Sequence, residues 1–147
     1  MGLDGRLYAT GDFLTLGGVT LTRVGNWNGS IWTAMGSGLN STGFKITVSP
    51  IDGTIYVGGV FSLAGGVANT AGVAAWNGSV WSPLSTGITG SVSFTYGAVY
   101  ALAVNPTTGV LVAGGEFTTA GGSTIDSLQL GTGYTGWVWG VGSALLR

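Results

Sequence analysis

Two acidic residues at equivalent places in the sequence are the first candidates for chemistry. Asp12 and Glu116 each stand directly before a phenylalanine. Glycosidases use two carboxylates about 5–10 Å apart, one as an acid and the other as a base or nucleophile. A long stretch of chain separates Asp12 from Glu116, which disfavours so close an approach within one chain. We therefore expect two solvated carboxylates at strand ends and no catalytic pair.

The chain lacks the residue types from which most catalytic and metal sites are built. It has no histidine and no cysteine, so a serine nucleophile would have only Lys45 as a base, and nothing around Lys45 suggests that role. The scattered carboxylates form no acidic run of the kind that binds calcium. The sequence therefore predicts a protein that is not an enzyme, with no catalytic residue, no metal ligand and no cofactor.

Charge is scarce, which excludes several classes of partner. Lys and Arg total 4, Asp and Glu total 5, and the formal net charge is −1. A chain without a basic patch lacks the electrostatic attraction that binds nucleic acid. Glycine and polar residues interrupt every apolar stretch before it reaches the ~20 residues of a membrane-spanning helix. We expect no nucleic acid partner and no membrane insertion.

Aromatic side chains that lie outside the repeated hairpins described below are candidates for ligand contact. An exposed aromatic ring offers a flat apolar surface on which a sugar can stack. Packing in a core or an interface is the commoner fate of such residues, and this alternative stays open. The candidates are Tyr96, Tyr100, Tyr134, Trp137 and Trp139.

The elements that must position these side chains come from an internal repeat. Residues 45–59 align with residues 101–115, with proline on proline and Gly-Gly on Gly-Gly, and a truncated copy begins at residue 3. Phe13, Phe61 and Phe117 mark the three copies, and a second glycine pair follows each of them. Self-similarity of this kind indicates a repeat architecture. The predicted organisation is a single repeat domain over residues 1–147, with repeat 1 at 3–43, repeat 2 at 44–98 and repeat 3 at 99–147.

Each full repeat is predicted to form four short strands. The 30 glycines disfavour long helices, because each glycine inside a helix costs about 1 kcal/mol relative to alanine. A Pro-x-x-Gly turn ends the first strand, since proline presets φ and glycine accepts a positive φ. Asn-Gly joins the third and fourth strands and is a strong signal for a two-residue hairpin loop. The predicted fold is all-β, with tandem four-stranded antiparallel sheets.

The hairpin segment Trp-Asn-Gly-Ser-x-Trp occurs twice, and its pattern indicates how the sheets pack. With Asn28-Gly29 as a two-residue loop, Gly25 pairs with Trp32, and Trp27 and Trp32 share one face as diagonal neighbours. The second copy is apolar on its other face as well, so we expect it to lie between two other sheets. The residues assigned a structural role are Trp27, Trp32, Trp76, Trp81, Asn28, Gly29, Asn77 and Gly78.

The repeat resembles those of Kelch-type and galactose-oxidase-like β-propellers. The resemblance rests on the apolar strand ending in Gly-Gly at residues 55–59 and on residues 73–84, which contain Trp-Asn-Gly-Ser-Val-Trp. The chain is still more similar to the Gly- and Trp-rich repeats of bacterial surface proteins and of phage tail-fibre or virion proteins. The resemblance implies propeller-like blades. Two departures are Thr10-Gly11 in place of a glycine pair and the absence of Trp-Asn-Gly from the third copy.

The number of blades determines which partners we expect. About three blades are present, the first and the last incomplete, whereas closed propellers typically have four to eight blades. This chain is therefore not expected to close a ring alone. Expected partners are further copies in a homo-oligomer, or other virion or surface proteins, unless the chain is a fragment of a longer protein.

The function expected from these features is structural. The sequence start has neither the basic segment nor the apolar core of a secretory signal. Together with low charge and incomplete blades, this favours a non-enzymatic structural or adhesive component of an extracellular or virion surface, such as a phage tail-fibre or decoration protein. The alternative is a lectin-like module, or an adhesin fragment of a larger bacterial surface β-propeller protein, with glycans as partners.

Overall fold

The structure is a computed structural model that describes residues 1–90 and 96–124. The described residues form short strands and turns and contain no helix, which confirms the prediction of an all-β fold. In chain order the strands are β1 Leu7–Thr10, β2 Thr15–Leu16, β3 Val19–Thr20, β4 Val24–Trp27, β5 Trp32–Ala34, β6 Gly43–Val48, β7 Ile55–Gly59, β8 Val73–Trp76, β9 Trp81–Pro83, β10 Ile88–Thr89, β11 Ala98–Val104, β12 Leu111–Glu116, β13 Thr119–Ala120 and β14 Ser123–Thr124.

The strands pair into antiparallel sheets, with one main sheet in each repeat. Sheet 1 has the order β1-β4-β5, sheet 2 has the order β6-β7-β8-β9, and sheet 3 pairs β11 with β12. Small pairings of β2 with β3, and of β10 with β13 and β14, accompany them. Among the described strands no sheet closes on itself. Sheet 2 therefore has the predicted four strands, and sheet 1 has three.

The first two strands of repeats 2 and 3 are joined by the predicted Pro-x-x-Gly turn. The Gly53 amide donates to the carbonyl of Ser49 at 3.0 Å, and the Ser49 amide donates to the carbonyl of Thr54 at 2.8 Å. The Gly109 amide donates in the same way to the carbonyl of Asn105 at 2.9 Å. Gly53 and Gly109 have φ values of 76° and 72°, a backbone conformation that glycine adopts without steric cost.

The register predicted for the Trp-Asn-Gly hairpins is wrong. Trp27 lies directly opposite Trp32, and Trp76 directly opposite Trp81, so each loop has four residues and not two. The cause is the asparagine side chain, because Asn28 Oδ1 accepts the amides of both Ser30 and Ile31, at 2.9 and 3.0 Å. Asn77 does the same in the second hairpin. The indoles are thus direct partners, with ring centroids 5.7 Å apart in repeat 1 and 5.2 Å apart in repeat 2.

Consecutive repeats are joined by backbone pairing that the sequence did not predict. We call residues 36–40 connector 1 and residues 85–89 connector 2. Leu39 of connector 1 bridges to Ala64, in the Gly-Gly turn of repeat 2. Ile88 of connector 2 pairs with Ala120, in the Gly-Gly turn of repeat 3. In both cases, a short extended segment of one repeat therefore pairs with the Gly-Gly turn of the next repeat.

Two apolar clusters separate the three sheets. Cluster 1 lies between sheets 1 and 2 and contains Val24, Met35, Leu39, Ile55, Val57, Phe61, Ala64, Ala74, Trp76 and Trp81. Cluster 2 lies between sheets 2 and 3 and contains Tyr56, Val73, Leu84, Ile88, Val99, Leu102, Leu111 and Phe117. Alternate residues of β7 enter the two clusters, so sheet 2 buries both of its faces, as its apolar pattern predicts.

The Gly-Gly turn of repeat 2 provides a test of this packing. A Cβ at Gly65 would overlap the Trp81 ring, whereas a Cβ at Gly66 would meet nothing within 4 Å; both residues have positive φ, 62° and 74°. We expect Gly66→Ala to cost about 1–2 kcal/mol of unfolding free energy from backbone strain alone. Gly65→Ala should cost a further 1–3 kcal/mol or so because it overpacks the core. Denaturant titration of both variants measures this difference, and equal losses would show that Trp81 does not pack against the turn.

Candidate functional site

The tryptophan pair of repeat 2 is buried by repeat 1. Trp76 and Trp81 are 6% and 5% exposed. The indole N–H of Trp81 donates to the backbone carbonyl of Met35 at 2.8 Å, across the boundary between the repeats. A Cβ at Gly36 would lie about 3.4–3.5 Å from atoms of both rings. We call this boundary junction 1 and the boundary between repeats 2 and 3 junction 2.

Connector 1 adds a polar contact to junction 1. The Asn40 side chain donates from Nδ2 to the Ser62 hydroxyl at 2.7 Å. Its Oδ1 accepts the amides of Ser62 and Leu63, each at 3.0 Å. The Gly65 amide donates to the carbonyl of Gly38 at 2.7 Å. Junction 1 thus combines an apolar cluster with one indole hydrogen bond and a short stretch of backbone pairing.

The equivalent face of sheet 1 is exposed. Leu7, Trp27 and Trp32 are cross-strand partners, so their side chains share one face. Leu7 is 51% exposed, whereas Ile55 at the equivalent position of sheet 2 is 2% exposed, and both indoles of sheet 1 are only partly buried. We call this surface the open face; it consists of Leu7, Ala9, Trp27, Trp32 and Ala34, with Leu14 and Val19 from the adjoining turn.

Opposite charges offset one another beside the open face. Asp4 and Arg6 form an ion pair at 3.5 Å, and Arg6 also donates to Asn26 Oδ1 at 2.7 Å. Partial burial acts to raise the pKa of Asp4, but hydrogen bonds from the Tyr8 hydroxyl and the Arg6 amide, together with the Arg6 charge, outweigh it and lower that pKa. Burial, and then the Asp4 carboxylate, raise the pKa of Tyr8 to about 12. Tyr8 therefore keeps its proton at physiological pH and holds the Asp4 carboxylate.

Two aromatic residues form a second surface. Each lies at a β-bulge and is left out of the pairing between its strand and the neighbouring strand. The register shifts between Gly43 and Lys45 in β6, and again between Val99 and Ala101 in β11. The residue at each shift is aromatic, and β-bulges commonly redirect a side chain near a functional site. We call these two residues, Phe44 and Tyr100, the aromatic pair.

The rings of the aromatic pair stack on each other and remain open to solvent. Their centroids are 5.6 Å apart with an interplanar angle of 26°, and Phe44 and Tyr100 are both 43% exposed. Burial, and then the charge of Glu116, raise the pKa of Tyr100, so the phenol stays neutral. The pair therefore offers a continuous apolar surface that extends across sheets 2 and 3.

The structure describes two of the five predicted ligand residues, and their role in binding stays a prediction. Tyr100 belongs to the aromatic pair, and Tyr96 is exposed. Sequence reasoning missed Phe44; the signal was its alignment with Tyr100, one residue before the aligned segments 45–59 and 101–115. The other three candidates lie outside the described residues: Tyr134, Trp137 and Trp139.

The acidic residues considered for catalysis have separate surroundings. Asp12 is largely exposed and lies 3.6 Å from the Nε of Arg23. Glu116 ends β12, directly opposite Ala98 of β11. Within the described part of the chain, no three or more His, Cys, Asp or Glu residues group in a way that could hold a metal ion.

Two further results concern membrane-spanning helices and similarity to known proteins. In residues 1–90 and 96–124 no helix is long and apolar enough to cross a membrane. Searches against protein-family models, curated proteins and solved structures find no significant match to this chain. The function must therefore be argued from the two surfaces themselves.

Proposed function

We propose that this protein is a non-enzymatic structural component of an extracellular or virion surface assembly, built from propeller-like blades that stack on one another. The observation that carries the proposal is the contrast between two equivalent faces. Trp76 and Trp81 are buried at junction 1, whereas the open face of sheet 1 presents the same types of side chain to solvent. A surface of this kind favours association with another sheet.

The packing of the sheets supports the blade interpretation. β11 lies against both β6 and β7, and β1 lies against β6. Both faces of sheet 2 are covered by apolar clusters, and both junctions use a connector on a Gly-Gly turn. Repetition of one antiparallel sheet, with each face packed on its neighbour, is how propeller blades are arranged.

The scarcity of charge also favours assembly. No charged residue stands between Asp12 and Arg23, so β2 and β3 lack the lysines and prolines that usually protect exposed strand edges. Only 6% of the residues in the chain are charged, against about 25% in an ordinary soluble domain. Such a surface is better suited to an assembled state than to a free monomer.

Energetic magnitudes indicate how strong the assembly should be. Burying one tryptophan removes ~150–250 Å² of surface, and at ~25 cal/mol per Å² a half-covered pair has at most several kcal/mol still to gain. Association costs roughly 4–15 kcal/mol in lost freedom of motion. The indole pair alone therefore does not suffice, and the other apolar residues and the strand edge of the open face must contribute.

The assembly is tested by the native mass of the purified chain. We expect sedimentation velocity at micromolar concentrations to give a mass that is a multiple of 14.7 kDa and that falls on dilution, because each contact is of modest size. A chain that remains at 14.7 kDa at every concentration would contradict the proposed function.

The aromatic pair favours a second candidate function, the binding of glycans at the surface of the assembly. Phe44 and Tyr100 are large, stacked on each other and exposed to solvent. The face of a pyranose ring is apolar and can lie on such a surface, while its hydroxyl groups remain in water. This function is compatible with the structural role, because the aromatic pair and the open face are different surfaces.

Glycan binding is tested by removing one ring of the pair. We expect Phe44→Ala to weaken binding to the best ligand from a glycan array at least about tenfold, which corresponds to ~1.4 kcal/mol. Val80→Ala is the control, because Val80 is also exposed on sheet 2 but lies at a hairpin tip. Binding that survives Phe44→Ala and Tyr100→Ala unchanged, or an array without any ligand, would reject this second function.

A further inference from the structure

We propose that another protein supplies an extended segment that pairs antiparallel with β1 and completes sheet 1 as its fourth strand. This inference rests on the proposed function, because it names the kind of partner that the surface assembly recruits. We call the side of β1 that faces away from β4 the β1 edge. Among residues 1–90 and 96–124 no strand pairs with the β1 edge.

Sheet 2 shows which strand belongs at the β1 edge. β1 pairs with β4 in the register in which β7 pairs with β8, with Leu7 opposite Trp27 and Ile55 opposite Trp76. β5 and β9 then follow in the same order. On its other side β7 pairs with β6, and β12 pairs with β11 in the same way in sheet 3. The β1 edge therefore corresponds to the side of β7 that carries β6.

The backbone groups of Tyr8 and Thr10 point to the β1 edge. The Gly11 amide donates to the carbonyl of Arg23 at 3.0 Å, on the side of β4. Along an antiparallel strand, the backbone groups of successive residues point alternately to one neighbouring strand and to the other. The N–H and C=O groups of Tyr8 and Thr10 are therefore positioned to bond to an added strand, which is how an extended peptide binds to a sheet edge.

The equivalent groups of sheet 2 bond to β6. The Ser49 amide donates to the carbonyl of Thr54 at 2.8 Å. The same alternation makes Thr47 the hydrogen-bonded partner of Tyr56, which lies directly opposite it. Since Tyr56 is the equivalent of Tyr8, an added strand would exchange hydrogen bonds with Tyr8 through the residue that corresponds to Thr47.

The first residues of the chain limit the length of the added strand. The Gly2 amide donates to the carbonyl of Arg6 at 2.7 Å, and Arg6 aligns with Thr54. This bond takes the place of the one that follows β6 in sheet 2. The added strand must therefore end opposite Leu7.

β6 and β11 indicate the sequence pattern of the partner. In residues 44–48 and in residues 100–104, an aromatic residue is followed by aliphatic residues two and four positions later. These aliphatic residues contribute to cluster 1 in β6 and to cluster 2 in β11. In an added strand they would lie opposite Ala9 and Leu7 and enlarge the open face. Within the described residues both strands of this pattern are already paired, so we assign the partner strand to another protein.

The aromatic residue of the partner would stack on Phe44. β11 lies against both β6 and β7, and β6 lies against β1, so an added strand would lie beside β6 as β6 lies beside β11. Phe44 and Tyr100 stack across sheets 2 and 3 with ring centroids 5.6 Å apart. The ring of the partner would cover the side of Phe44 that faces away from Tyr100, and the aromatic pair would become a row of three rings.

The β1 edge is tested first in the unmodified chain by amide hydrogen exchange. We expect the Tyr8 amide to exchange at least about a hundredfold faster than the Tyr56 amide, because Tyr56 is bonded to β6 and Tyr8 awaits a partner strand. The two residues are matched by type and by position in the repeat. Equal protection of both amides would show that the β1 edge is already paired, and would overturn the inference.

Strand addition is tested with a peptide of residues 42–48, Thr-Gly-Phe-Lys-Ile-Thr-Val, with blocked ends. At saturation we expect it to slow exchange of the Tyr8 amide at least about tenfold, because that amide gains a hydrogen-bond acceptor. Methylation of the peptide nitrogen at the position of Thr47 should weaken binding at least about tenfold, because it removes the donor to the Tyr8 carbonyl.

The matched control is methylation at the position of Ile46, whose amide points away from β1, and it should leave the affinity within about threefold. Titration followed by nuclear magnetic resonance measures both the affinity and the exchange. Equal effects of the two methyl groups, or a peptide that leaves Tyr8 exchange unchanged, would overturn the inference.

The register of the added strand is tested through its aromatic residue. A peptide with alanine in place of its phenylalanine should bind about three- to tenfold more weakly, which is the usual contribution of an aromatic pair. Phe44→Ala in the protein should cause a similar loss with the original peptide and little further loss with the alanine peptide, because the two rings act together. Additive losses would overturn the proposed register.

Failure of this inference can be distinguished from failure of the proposed function. If the unmodified chain assembles and the peptide does not change exchange at Tyr8, the strand partner is wrong while the structural role stands. If the peptide binds at the β1 edge and the chain stays at 14.7 kDa at every concentration, the proposed function is contradicted while the strand site stands.

Discussion

The structure depends on one constraint, which is that a repeat of this chain cannot bury its own tryptophan pair. The two indoles stand opposite each other on one face of a narrow sheet, and the Gly-Gly turn covers only part of them. At junction 1 the preceding repeat supplies the rest of the cover, with an apolar cluster and a carbonyl for the indole N–H of Trp81. Stability is therefore a property of neighbouring repeats and not of a single one, as in other repeat proteins.

This constraint explains why glycine is so frequent at the junctions. Gly36 and Gly65 lie against the indole rings of repeat 2, and a Cβ at Gly65 would overlap the ring of Trp81. Gly38 and Gly87 belong to the connectors, and a Cβ at either glycine would overlap backbone atoms, those of Thr22 at Gly38 and those of Ala71 at Gly87.

Much of the fold could be predicted from the sequence, and the failures have local physical causes. The repeats, the strand composition and the sandwiched position of sheet 2 followed from periodic glycines and from apolar residues on both faces. The hairpin register did not, because the Asn28 side chain captures two amides and extends the loop beyond the two residues that Asn-Gly favours. Connector pairing is non-local and has no sequence signal of its own. The bulge at Phe44 could be recognised only once the structure showed Tyr100 at a bulge in the equivalent position of repeat 3.

The burial of one indole by another repeat is the central claim, and a nuclear Overhauser measurement on the Trp81 indole proton tests it most directly. The account predicts cross-peaks from that proton to Met35 and Gly36, because the indole nitrogen lies 2.8 Å from the Met35 carbonyl. Their observation would establish the contact between repeats in solution. A Trp81 indole proton with cross-peaks only to its own repeat, and with rapid exchange into water, would contradict the account.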